Sequence, residues 1–126
     1  MTNDDRDPLT DRVIGLAIEV HRSLGPGLLE STYEECLCYE FSQHGIQFQR
    51  QVPLAVHYKD VRLDCGYRLD IVVERNLILE IKSVEQLSRL HEAQLLTYLK
   101  LSGIRTGLLL NFNVTLMTQG IRRLVF

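Results

Sequence analysis

The 126-residue sequence lacks the features that define several classes of protein. Its cysteines include no Cys-x-x-Cys pair, so neither a disulfide framework nor a cysteine-based zinc site is supported, and we expect Cys36, Cys38 and Cys65 to be buried, reduced thiols. No apolar run approaches the length of a membrane-spanning helix. The polar, acidic N-terminus does not resemble a signal peptide. These absences predict a cytoplasmic protein without a membrane segment.

A basic excess is also absent, since 14 Lys and Arg residues stand against 16 Asp and Glu residues and give a net charge of -2. This balance counts against tight non-specific binding to nucleic acid, which generally needs a basic face. Six cations lie in or near the predicted sheet and form either a local basic rim or scattered surface charge. They are Arg50, Lys59, Arg62, Arg68, Arg75 and Arg89.

Length and composition predict a disordered tail over residues 1–8 and one globular domain over residues 9–126. Apolar periodicity and capping residues predict helices over residues 10–24, 28–44 and roughly 84–102. Ser83 and Ser88 are both acceptable caps for the third helix, so its start stays open between them. Alternating patterns predict strands over residues 46–56, 61–63, 67–73, 77–82, 106–112 and 121–126. Pro53 predicts an edge position or a bulge in the first strand. These patterns therefore predict a domain that contains both helices and strands.

The most informative stretch, residues 67–83, predicts two short strands joined by a tight turn. If residues 74–76 form the turn, Val73 pairs with Leu77. Because side-chain direction along a strand has a period of two, this register decides which side chains share a face.

Counting outward from that turn places Asp70 directly opposite Glu80, with Lys82 on the same face. Two opposed carboxylates repel each other unless a proton or a cation lies between them. Lys82 supplies that cation if the group is a half-exposed salt bridge. The alternative is a divalent metal held by Asp70 and Glu80, with Lys82 positioned to act on a water molecule.

Polar side chains also fall on the predicted inward faces of two helices. Glu30 lies within the apolar stripe of the second helix and serves either to bond backbone amides or to reach a metal site. On the third helix, His91, Gln94 and Tyr98 share the side expected to cover the sheet, with Leu87, Leu90 and Leu101. They form either a structural network or part of a functional site. His21 is expected to be a core histidine.

In this order the residues resemble the PD-(D/E)XK nuclease superfamily, whose core carries an Asp on one strand, Glu-x-Lys on the next and then a covering helix. The resemblance implies the fold class α/β, in the form of an α+β mixed sheet flanked by helices. The matching positions are Asp70, Glu80 and Lys82. Gln94 and Tyr98 resemble the Gln-x-x-x-Tyr motif of the RecB-like exonuclease branch. Leu69 stands where the superfamily often has a proline.

A narrower resemblance is to the GxxExxY family of small proteins, through Gly27, Glu30 and Tyr33. It covers about residues 10–126. The resemblance implies that Asp70, Glu80 and the Ile81 carbonyl bind Mg2+ or Mn2+, with Glu30 reaching the same metal directly or through water.

The resemblance further implies that Lys82 orients the attacking water, while Gln94 and Tyr98 support the lysine or contact the scissile strand. The resemblance gives His21 and His91 at most an indirect role, through contacts with these residues. The implied function is metal-dependent hydrolysis of DNA, or less readily RNA. The alternative is a catalytically silent binding or assembly subunit of a DNA-processing complex. A homodimer is also expected, because free strand edges favour association.

Overall fold

The computed structural model describes residues 7–126, and within them the chain forms one five-stranded sheet and three α-helices. In chain order the elements are α1 (Pro8–Leu24), α2 (Glu30–Gln43), β1 (Phe48–Tyr58), β2 (Val61–Val73), β3 (Leu77–Lys82), α3 (Arg89–Ser102), β4 (Thr106–Asn111), a 3-10 turn (Met117–Gly120) and β5 (Ile121–Val125). The strands lie side by side in chain order, and only the β3–β4 pair is parallel. The predicted mixed sheet with flanking helices is confirmed.

The sheet separates two apolar clusters. On one face α1 and α2 pack over residues that include Ile71, Leu79 and Ile81, and on the other face α3 packs over Ile78 and Leu109. The central strands β3 and β4 are therefore buried on both sides, which explains their nearly continuous runs of Leu and Ile.

Helix α3 lies close to β4 because β4 has a glycine at the contact. A Cβ atom added to Gly107 would come within 2.9 Å of Leu95 Cδ1. The inward positions of the helix are Leu95, Tyr98 and Leu99. The predicted inward face is wrong at Leu90, which is 77% exposed, and at Gln94, which is also exposed.

All three helix starts differ from the prediction, and α2 begins at Glu30 rather than residue 28. Helix α1 begins at Pro8, and the Asp7 carboxylate caps it by accepting a bond from the Thr10 amide at 2.7 Å. The predicted tail therefore overlaps the helix by its last residue, while residues 1–6 lie outside the described part of the chain. Helix α3 begins at Arg89 rather than residue 84, because Ser88 and His91 form a capping box.

Strand β1 has the predicted length but lies two residues later than predicted, and β2 is longer than predicted. Strand β1 is an edge strand, which confirms the prediction from Pro53, and its pairing with β2 shifts between Leu54 and Val56. Strand β2 runs without a break from Val61 to Val73, so the two predicted strands are one. The turn between β1 and β2 consists of Lys59 and Asp60.

The cysteines are reduced but not uniformly buried. Cys38 is buried, and burial raises the pKa of its thiol to about 12. Cys36 is half-buried, and Cys65 is exposed on β2, so the prediction of a buried thiol is wrong there. Among residues 7–126 no helix is long and apolar enough to cross a membrane.

A tyrosine fixes the loop that precedes α2. The buried Tyr33 hydroxyl donates to the Gly25 carbonyl at 2.6 Å and accepts from the Leu28 amide at 3.1 Å. Between them Gly27 has a φ of 96°, a conformation that favours glycine. The Tyr33 ring also stacks on Phe112, with centroids 4.4 Å apart, so it connects this loop to the segment after β4.

We expect Tyr33→Phe to lower the free energy of unfolding by about 1–2 kcal/mol, because it removes both hydrogen bonds to the loop while keeping the ring. Urea denaturation followed by circular dichroism measures this change. Tyr39→Phe is the control, since Tyr39 is 61% exposed on the same helix. Equal effects of the two substitutions would contradict the assigned role of Tyr33.

Candidate active site

The candidate site lies where β2 and β3 separate. Their regular pairing runs from Val73↔Leu77 to Ile71↔Leu79, which is the predicted register, and stops there. At the next position, side-chain oxygens accept the bonds from the backbone amides. The Asp70 amide donates to Glu80 Oε2 at 3.0 Å, and the Ile81 amide donates to Asp70 Oδ2 at 2.8 Å. Two carboxylates thus replace backbone acceptors and hold the ends of the strands together.

The two carboxylates differ in exposure, because Glu80 is buried whereas Asp70 is half-buried. Glu80 is only 5% exposed, and burial, followed by the charge of Asp70, raises its pKa to about 8. Burial also raises the pKa of Asp70, although the bond from the Ile81 amide acts against this. In the absence of a cation, the pair is therefore costly to ionise at neutral pH.

Lys82 lies near this pair without neutralising it. Its positive charge lowers the pKa of both carboxyls, but less than burial raises them. Within the described part of the chain Lys82 forms no ion pair. Of the two alternatives from the sequence, the salt bridge is therefore not observed.

Helix α2 brings a third carboxylate that the sequence analysis missed. Glu34 is 6% exposed; it accepts from Arg50 Nε at 2.9 Å and from Gln51 Nε2 at 3.1 Å. Its negative charge contributes to the raised pKa of both Asp70 and Glu80. Glu34 lies one helical turn after Glu30, so the same periodicity could have identified it.

Glu30 is placed differently from the prediction. It is exposed at the first turn of α2 rather than within the apolar stripe, and its Oε2 accepts from the Ser83 amide at 3.1 Å. The start of α2 is thereby attached to the residue that follows Lys82. Glu30 also raises the pKa of Asp70, but less than Glu34 does.

On α3 only one of the three predicted polar residues faces the site. Tyr98 is 8% exposed and its ring centroid lies 6.4 Å from that of Tyr67. Burial raises the pKa of its hydroxyl, and the negative charge of Glu80 contributes. Gln94 is exposed, while His91 accepts from the Ser88 amide as part of the helix cap.

The remaining candidates have structural partners. His21 is buried and its Nε2 lies 2.7 Å from the Val114 carbonyl oxygen, as expected of a core histidine. Among the predicted cations, Arg50 pairs with Glu34 and Glu35, and Arg62 pairs with Asp64. These local pairs favour scattered charge over a basic rim.

The donor chemistry suits a hard divalent cation. Asp70 and Glu80 offer oxygen ligands in a buried setting where positive charge is in deficit, and Mg2+ and Mn2+ prefer such ligands. Residues 7–126 contain no cluster of three or more His, Cys, Asp or Glu side chains arranged for a metal. A cation here would need oxygen ligands from the backbone, water or substrate as well.

A sequence model of the PD-(D/E)XK nuclease superfamily matches residues 7–124. The chain belongs to this superfamily. Searches of curated proteins and of solved structures each gave no match. Membership in the PD-(D/E)XK superfamily supports a nuclease-type function, and the mixed sheet with its three helices agrees with that fold.

The raised pKa of Glu80 predicts that the free energy of unfolding of this nuclease-like domain depends on pH. In metal-free buffer the folded state binds the proton of Glu80 up to about pH 8, whereas the unfolded chain releases it near 4.5. The free energy of unfolding therefore falls as the pH rises between these values. We expect Glu80→Gln to remove this loss and to be more stable than the parent by on the order of 2 kcal/mol at pH 8, but not near pH 4.5.

Urea denaturation with EDTA at several pH values measures the difference. Glu85→Gln is the control, since Glu85 is exposed, and we expect it to stay within about 0.5 kcal/mol of the parent. A Glu80→Gln variant that is less stable than the parent at pH 8 would show that ionised Glu80 is not costly in the fold.

Proposed function

We propose that this protein is a Mg2+- or Mn2+-dependent nuclease that hydrolyses phosphodiester bonds, with DNA as the first substrate to test and RNA as the second. The observation that carries the proposal is the pair formed by buried Glu80 and half-buried Asp70, beside a lysine that pairs with neither. An Asn or Gln could accept the same amide bonds without burying a charge. The presence of acids at both positions is therefore best explained by a cation.

In this proposal Asp70, Glu80 and the Ile81 carbonyl hold the metal, and Glu30 assists through water. When bound, the metal lowers the pKa of a water molecule and offsets negative charge on the phosphate. Glu34 adds negative charge behind the two ligands while Arg50 and Gln51 hold its carboxylate in place.

Lys82 is proposed to orient the attacking water and to stabilise charge on the phosphate. Its half-buried position at the end of β3 and its freedom from ion pairs among the described residues leave the amine available for this role. Tyr98, buried against the site, supports the lysine. Gln94, which is exposed one turn earlier on α3, is better placed to contact the scissile strand.

We also propose that the chain belongs to the GxxExxY family within the superfamily. The three signature residues have separate structural roles that support this assignment. Gly27 adopts a positive φ, Glu30 bonds the Ser83 amide, and Tyr33 holds the loop on both sides of Gly27. Together they attach the start of α2 to the end of β3, where Lys82 lies.

A second candidate function is a catalytically silent binding or assembly subunit of a DNA-processing complex. One observation favours it: in residues 7–126 no set of three metal-ligating side chains is assembled. The acidic balance of the chain agrees with this alternative. Metal binding and hydrolysis together distinguish the two functions.

Calorimetric titration of Mn2+ into the metal-free protein is the first test. We expect saturable binding that Asp70→Asn and Glu80→Gln abolish, because each variant replaces a charged ligand by a neutral amide while keeping an acceptor for the backbone bond. We expect Lys82→Ala to retain metal binding and to lower hydrolysis of labelled DNA by about 100-fold or more.

Lys100→Ala serves as the control, since Lys100 is exposed on α3. Circular dichroism checks the fold of each variant. Metal binding with no hydrolysis of DNA or RNA would favour the binding subunit. A folded parent that binds no Mn2+, alone or with an oligonucleotide, would contradict the nuclease.

Two matched substitutions on α2 test which of its carboxylates matters for the metal. We expect Glu34→Gln to weaken Mn2+ binding about tenfold or more, because Glu34 is buried and its charge acts on both proposed ligands. Glu30→Gln should have a smaller effect, since Glu30 is exposed and acts on Asp70 more weakly. The same titration compares them, and the reverse order would identify Glu30 as the closer ligand.

A further inference from the structure

The structure contains an extended two-stranded segment, residues 56–63, that we call the ribbon. It comprises the end of β1, the Lys59-Asp60 turn and the start of β2. The first eight residues of β2 are exposed, as are the last two of β1. Two paired strands without support from other elements are only marginally stable in water. The ribbon therefore needs an explanation beyond the fold of the domain.

One face of the ribbon is apolar. The register pairs Tyr58 with Val61 and Val56 with Leu63, and alternation puts all four side chains on the same face. Tyr58 is 60% exposed, Val61 52% and Leu63 40%. Val56 is half-buried, so the exposed apolar surface consists of the other three residues, and contiguous exposed apolar surface is characteristic of interaction sites.

The charged groups lie on the opposite face and at the tip. His57 pairs across the strands with Arg62, and Arg62 bonds Asp64 at 3.0 Å on that opposite face. The tip carries Lys59 and Asp60, and Lys59 Nζ lies 5.3 Å from the centre of the Tyr58 ring. The four residues of the apolar face are uncharged, and within residues 56–63 only Lys59, which reaches over Tyr58 from the tip, places a cation beside them. A single cation argues against nucleic acid as the partner of this face.

We propose that the apolar face of the ribbon binds the same face of a second copy of this chain and forms a symmetric dimer. A two-fold interface brings identical residues together, so the partner must be self-complementary. The ribbon meets this requirement, because its face is uncharged and its tip carries one charge of each sign. Lys59 of one copy can therefore pair with the oppositely charged Asp60 of the other.

The edge of β1 is less suitable for this contact than the face. Pro53 has no amide hydrogen to donate to a neighbouring strand, Gln51 has a φ of 51°, and the pairing shifts after Leu54. These irregularities oppose the addition of a strand at that edge. The proposal does not depend on the nuclease function, since it involves neither the carboxylates nor a metal.

Sedimentation velocity of the full chain, from about 1 to 100 µM, tests the proposal. A reductant is included because exposed Cys65 could otherwise form disulfides between copies. We expect the parent to dimerise as concentration rises. We expect Val61→Glu and Leu63→Glu to raise the dimer dissociation constant about tenfold or more, because each buries a carboxylate in an apolar contact.

His57→Glu is the matched control, since it adds one carboxylate to the opposite face of the same ribbon, and it should leave the dissociation constant unchanged. Circular dichroism and thermal melting verify that each variant is folded. A parent that stays monomeric throughout, or a dimer that Val61→Glu and Leu63→Glu leave intact, overturns the proposal. A monomeric parent whose binding to a DNA duplex is weakened by Val61→Glu overturns it in favour of nucleic acid as the partner.

Discussion

The reciprocal bonds between two carboxylates and two backbone amides are the contact on which the candidate site depends. Asp70 accepts from the amide beside Glu80, and Glu80 accepts from the amide of Asp70 itself. A backbone carbonyl would meet the same need at no electrostatic cost. Because acids are used instead, the same two side chains both pair the strands and concentrate negative charge inside the domain. A substitution at either position therefore affects the fold and the chemistry of the site together.

The elements around the two carboxylates hold them in place. Strand β3 is buried on both faces and continues in register with β4 as far as Lys82, so the residues of the Glu-x-Lys motif stay fixed although β2 separates from them. Helix α2 holds the other side through Glu30, which bonds Ser83, and through the buried Glu34. The apolar clusters thus position the charged residues, and both clusters contain buried residues of β2, β3 and β4.

Much of this arrangement could be predicted from the sequence because it depends on local rules. The turn after Val73 and the period of two determine the register that opposes Asp70 and Glu80. The rotation of α3 could not be predicted in this way. It depends on Leu95, which packs at Gly107 of a strand that follows later in the chain, and this contact turns Gln94 towards solvent. The position of Glu34 follows from the same periodicity as that of Glu30. What periodicity within α2 does not reveal is that Arg50 and Gln51, both on β1, hold its buried carboxylate.

The separation of β2 from β3 has a mechanical consequence. Asp70 belongs to the strand that continues outward into the ribbon, whereas Glu80 belongs to the strand at the centre of the sheet. The two groups are therefore attached to parts of the molecule that differ in burial, since β3 is buried and the outer part of β2 is exposed. A ligand bound by both carboxylates would restrain the ribbon against the core of the domain. By thermodynamic reciprocity, anything that restrains the ribbon would raise the affinity for that ligand.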